Sequence, residues 1–315
     1  MQLDQTHVAI RLRTISEIGD LALIMVRRYP FALFVCFAVG ALPWFIANSA
    51  LLWWIPIQES KYGLDDPEAF SELRRYAFWM ATLVVLQTPA AGVFTTYYLG
   101  QAVFEKRPTW KNVVREVWKH GGRWLWALGV KRLAVPAMLL LCVTYGEALS
   151  GFTDVLMPMF FLLAIALVRG MRPFMPEIIL LEQCPAKSKD PRTITIAKRS
   201  TNLHKAVGGD LSGRFITLSF LLFWGFLGLL FTFTWIRGVV TGFGNMGLVI
   251  MLILYPLALW AVAGFSVFIR FLNYLDTRIR LEGWEVDLAV RAEAIRQFGA
   301  ELPDDGSAKP KAGQA

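Results

Sequence analysis

The sequence predicts an all-α integral membrane bundle of six transmembrane helices, with amphipathic helices on its cytoplasmic side. Three observations lead there. The 315 residues are 56% hydrophobic and only 18% charged, against about 25% charged in a typical soluble domain. Four runs, 31–58, 76–104, 215–236 and 238–269, contain no charged residue. A crossing helix needs about 20 mostly apolar residues, because the hydrocarbon core is roughly 30 Å thick and each residue rises about 1.5 Å. A soluble surface helix would show polar residues at every turn. Third, the basic residues are sorted by segment, which sets sidedness.

Residues 1–30 form the first cytoplasmic unit. Ile15, Ile18, Ala22, Met25 and Tyr29 recur at spacings of three or four, the signature of one apolar helix face. Thr14 and Glu17 fit a capping box, in which each side chain satisfies a free N–H at the helix start. Arg27, Arg28 and Tyr29 then belong at headgroup level, with the helix along the inner membrane face. The run from Phe31 is expected to be an uncleaved first span, since a signal peptide would place its apolar core nearer the start.

The bundle occupies 31–271. Between its second and third spans, 105–132 carries a stripe of Trp110, Val113, Val114 and Trp118 among basic residues, a pattern suited to the interface. Residues 133–146 and 155–168 are shorter apolar runs between charges. They read either as two spans, with Lys131 and Arg132 snorkelling from one end, or as a re-entrant hairpin that leaves four spans. Residues 169–214 are the most polar internal segment. Pro173 and Pro176 make an elbow, 177–182 and 193–203 read as short helices, and Asp210 is a candidate cap for the next span. The last span runs into an amphipathic helix over 272–299, whose face is Leu281, Trp284, Leu288, Ile295 and Phe298. Asp276–Arg280 and Asp287–Arg291 are i,i+4 pairs with the acid first, the better order. Residues 300–315 read as a disordered tail.

With six spans, 1–30, 105–132, 169–214 and 270–315 share one side and hold 28 of the 32 Lys and Arg. Cytoplasmic segments carry such an excess, so both termini are expected in the cytoplasm. The net charge of +8 is thereby explained by topology, and no nucleic-acid partner is needed.

Four pieces, taken together and in order, carry a resemblance. They are Ile15-Ser-Glu-Ile-Gly-Asp-Leu-Ala-Leu-Ile-Met-Val-Arg-Arg, Ile178-Ile-Leu-Leu-Glu, Ile196-Ala-Lys-Arg-Ser-Thr-Asn-Leu-His, and Tyr274-Leu-Asp-Thr-Arg-Ile-Arg-Leu-Glu-Gly-Trp-Glu-Val-Asp-Leu. The chain resembles the membrane-domain family named after glycerophosphoryl diester phosphodiesterase, found in many bacterial multi-pass proteins. The resemblance implies a six-helix-type domain in a bacterial cytoplasmic membrane, sometimes fused to a catalytic domain. No catalytic domain is expected after residue 298, so phosphodiesterase activity is not carried over.

No motif points to a cofactor or metal. His7, His120 and His204 fall in three separate segments, and Cys36, Cys142 and Cys184 show no zinc or disulfide spacing. The candidate site is therefore a surface: Arg278, Arg280, Glu282, Glu285 and Asp287, dense enough to dock a protein partner or anionic lipid headgroups. The leading expectation is a non-enzymatic subunit that organises partners or lipid at the cytoplasmic face. The alternative is a transporter or lipid-handling carrier, with a cavity among the spans lined by Gln87, Tyr97, Tyr98 and Gln101. An enzyme would have to combine Glu182, His204 and Asp210.

Overall fold

A computed structural model describes residues 13–59, 67–103, 108–147, 150–186, 193–205, 207–242 and 247–283. Among them every regular element is helical. Helix α1 (Ile15–Arg28) starts with the expected capping box: the Glu17 N–H donates to Thr14, and the Thr14 N–H donates to Glu17 Oε2 at 2.8 Å. It buries Ile18, Ala22 and Met25, one face by their spacing, and packs on the helix Tyr255–Glu282.

Helix α2 (Pro30–Leu52) is followed by the short α3 (Trp54–Glu59). Helices α4 (Pro67–Ala91) and α5 (Val93–Ala102) form one path bent by 41°. Pro89 lies just before the bend, where its missing donor weakens the helical ladder. At Gly92 an added Cβ would lie 2.6 Å from a Val267 methyl, so the bend is also a close approach of two helices. Next come α6 (Trp110–Lys119) and α7 (Gly121–Trp124), which runs into a π-helical turn (Leu125–Val130). Leu133 has φ 67°, and α8 (Ala134–Val143) leaves it at 62° to the preceding limb. Helix α6 buries Val113 and Val117, while Trp118 is exposed, so the buried stripe is turned from the expected one.

A π turn (Phe152–Leu156) leads into α9 (Met157–Met171), and another (Ile250–Leu254) leads into α13 (Tyr255–Glu282). Pro158 and Pro256 explain both. Each ring would strike the carbonyl four residues back, and the wider turn makes room for it. Between these lie α10 (Met175–Leu180), α11 (Ile196–Lys205) and α12 (Gly208–Thr241). Asp210 does not cap α12; its carboxylate pairs with Arg214 at 3.1 Å. Gly242 and Gly283, with φ 73° and 64°, end α12 and α13 in the left-handed conformation glycine adopts without penalty.

Four stretches are long and apolar enough to cross a membrane: Pro30–Leu52, Phe152–Met171, Gly208–Thr241 and Ile250–Glu282. The bent pairs Ser71–Ala91 with Val93–Ala102, and Gly121–Val130 with Ala134–Val143, raise the number to six if each is one span. Helix α4 is central, touching α2, α3, α8, α9 and α13. Helix α12 is peripheral and keeps Phe220, Trp224, Phe231 and Trp235 exposed.

The two ends of the bundle are tied differently. At one end Arg75, near the start of α4, pairs with Asp154 at 2.7 Å and donates to the Glu147 carbonyl at 2.9 Å. The Tyr76 hydroxyl donates to the Met251 carbonyl at 2.7 Å. At the other end the Arg13 N–H donates to Asp276 at 2.9 Å. Glu285, Asp287, the stripe from Trp284 to Phe298, the tail and His7 lie outside the described residues.

Candidate functional site

Of the polar residues named as a possible cavity lining, Gln87 is committed to another buried amide. Asn48 and Gln87 are fully buried and exchange two hydrogen bonds of 2.8 Å between α2 and α4. Each amide satisfies the other, which is how membrane bundles commonly use such groups. Tyr97, Tyr98 and Gln101 are not part of the lining of the two cavities described next.

A cavity lies between α9, α12 and α13. It has a volume of about 120 Å³, and four arginines face it: Arg132, Arg169, Arg214 and Arg270. Each comes from a different place. Arg132 sits at the break before α8, Arg169 in the last turn of α9, Arg214 in the second turn of α12, and Arg270 in α13. Burying a guanidinium is costly unless it is paired and hydrogen-bonded, so the partners matter. Arg270 Nε meets Glu177 Oε1 at 2.8 Å, and its Nη2 donates to Thr96 at 3.1 Å. Glu177 has no exposed surface. Arg214 meets Asp276 at 2.9 Å and Asn273 Oδ1 at 3.2 Å. Arg132 donates to the Arg172 carbonyl and Arg169 to the Val85 carbonyl, each at 2.7 Å.

A second, larger cavity of about 590 Å³ continues from the first. The two share Arg169, Phe215, Ser219, Leu222 and Ser266 as lining. Its walls are otherwise almost wholly apolar, from α4, α9, α12 and α13, and its far end reaches Arg74 and Tyr255. From Thr88 to Arg74 along α4 it spans about 21 Å at 1.5 Å per residue. That exceeds one leaflet, about half of the roughly 30 Å hydrocarbon core. The pair of cavities thus has a cationic head and an apolar body.

Behind the cavity, Phe174 stacks on His204 with ring centroids 5.3 Å apart. Burial lowers the His204 pKa, and the charges of Arg172 and Arg132 add to this against the raising effect of the Ser200 carbonyl. Burial thus disfavours a fifth positive charge beside the arginines.

The residues singled out in the sequence stand next to this site. Arg278 pairs with Glu282 at 2.6 Å. Arg199 bridges Glu182 and Glu282, each at 2.5 Å, and the Tyr274 hydroxyl donates to Glu182 at 2.8 Å. Hydrogen bonding to Glu182, then to Glu282, holds the Arg199 guanidinium well above its ordinary pKa. Arg280 meets Asp276 at 3.0 Å and Asp210 at 3.5 Å. Glu182, His204 and Asp210 are thus each engaged with a different neighbour: Arg199, Phe174 and Arg214. Among the described residues, no three His, Cys, Asp or Glu side chains are grouped to hold a metal ion.

Sequence reasoning missed the arginine cavity because each arginine stands at the edge of an apolar run. There a basic residue reads as snorkelling to the interface. Glu177 was the available signal, being an acid between two apolar stretches with no neighbouring base in the chain. No family model, curated protein or solved structure matches this chain.

Proposed function

We propose that this chain is a six-span protein of a bacterial cytoplasmic membrane, with both termini inside, that binds an acidic amphiphile within its bundle. The headgroup would sit on Arg132, Arg169 and Arg270, and the hydrocarbon in the chamber between α4, α9, α12 and α13. The observation that carries this reading is the shared wall of the two cavities. A cationic pocket alone would suit any anion, and an apolar one any hydrophobe. Joined, they suit a molecule with both parts.

Two further features support it. The four arginines come from the segment ends that charge sorting assigns to the cytoplasmic side, where acidic headgroups of the inner leaflet would be met. The contacts of Arg75 with Glu147 and Asp154 bring the turn between α8 and α9 to the opposite end of α4. They favour two full crossings over a re-entrant hairpin. The resemblance to the phosphodiesterase-associated membrane domain fits this architecture and adds no activity. Arg278, Arg280 and Glu282 are engaged within the molecule, so docking of a cytoplasmic partner has less support than lipid handling.

The test is lipid retention. After purification in a neutral detergent, native mass spectrometry should find acidic phospholipid bound in preference to phosphatidylcholine. Arg169→Gln should lower occupancy about tenfold, the loss of one charge-assisted hydrogen bond. Equal retention of acidic and zwitterionic lipid would overturn the proposal.

A further inference from the structure

The charges around the cavity do not cancel, and the remainder identifies the headgroup. Arg270 is balanced by the buried Glu177. Arg214 is balanced by Asp276, with Asp210 also in reach. Among the described residues, Arg132 and Arg169 donate to backbone carbonyls. Among the described residues, no carboxylate forms an ion pair with either. Arg132 is 4% exposed, lines the cavity, and its Nη1 is buried without a hydrogen-bond partner. Arg132, Arg169 and Arg270 act on one another as like charges, and the Glu177 carboxylate that pairs with Arg270 also acts on Arg132. The site therefore holds two more guanidinium groups than carboxylates paired with them, and an unused buried donor, an arrangement costly unless a ligand completes it.

A ligand that completes it must bring two negative charges. A phosphodiester headgroup brings one. A phosphate monoester brings about −1.5 to −2 at pH 7, with three acceptor oxygens, and neighbouring cations favour its dianion. Guanidinium forks match those oxygens in pairs. Resting on the proposed lipid-binding reading, we infer that the ligand is an amphiphile ending in a phosphate monoester, its terminal phosphate held by Arg132 and Arg169.

The full chain would be placed in phosphatidylcholine nanodiscs and occupancy read by native mass spectrometry at pH 8. The probes are dioleoyl phosphatidic acid, dioleoyl phosphatidylglycerol and soluble glycerol 3-phosphate. Phosphatidic acid should be preferred over phosphatidylglycerol about tenfold or more, the effect of one additional charge-assisted contact. That preference should shrink toward parity at pH 5, below the second phosphate pKa of about 6. Arg132→Gln and Arg169→Gln should each reduce it as well, and the pH arm gives the same readout without a variant. Equal binding of the two acidic lipids, or a preference unchanged at pH 5, overturns the monoester assignment and leaves acidic-lipid binding standing. Failure of both lipids to exceed phosphatidylcholine overturns both. Displacement of phosphatidic acid by glycerol 3-phosphate at equal concentration keeps the monoester and overturns the lipid.

Discussion

Asp154 is 2% exposed and accepts from two directions: Arg75 Nε at 2.7 Å and the Ser150 N–H at 2.6 Å. Arg75 also lies over the Trp54 ring at 5.6 Å. Removing one member of such a pair leaves the other charged and unsatisfied, which costs about 3–5 kcal/mol. Asp154→Ala should therefore lower stability by about that much in denaturant unfolding, and Arg75→Leu with Asp154→Leu should recover part of the loss. At this scale the sequence was legible where partners are near in the chain. Thr14 with Glu17 and Asp276 with Arg280 pair as spacing implies. Asn48 with Gln87, Arg270 with Glu177 and Arg132 with Arg172 are long-range pairs. Each partner is chosen by helix packing, which no local pattern encodes.

Between elements, Gly40 of α2 marks a close approach, where an added Cβ would lie 2.0 Å from the Ala91 carbonyl oxygen. Backbone cannot yield as a side chain can, so α2 and α4 would have to separate. Gly40→Ala should destabilise by about 1–3 kcal/mol or more, seen as a lower melting temperature of the purified protein. Gly225→Ala, on the exposed side of α12 with nothing within 4 Å, should be neutral or slightly stabilising. The apolar runs marked where helices lie, because run length follows from bilayer thickness. They did not show that two of the paths are bent. Pro89 stands in one of those runs, but a proline marks a weakened ladder without fixing the angle, and the bends fall at Gly92 and Leu133.

For the whole molecule, sidedness is the property that charge sorting predicts and labelling can check. In a cysteine-free background, single cysteines at Glu147, Thr241 and Thr201 are all at exposed positions. A membrane-impermeant maleimide added to intact cells should label the first two and spare the third. Protection of Glu147 alone among the first two would mean that the α8–α9 hairpin re-enters. The same hairpin bears on biosynthesis. The limb carrying Lys131 and Arg132 is translated before α9, yet the hydrogen bond that Arg132 Nη2 makes is to the carbonyl of residue 172, 40 positions later. The nascent segment has no internal partner for that charge. It should wait at the translocon until α9 has left the ribosome, then insert with it as a unit, Asp154 closing onto an Arg75 already in place.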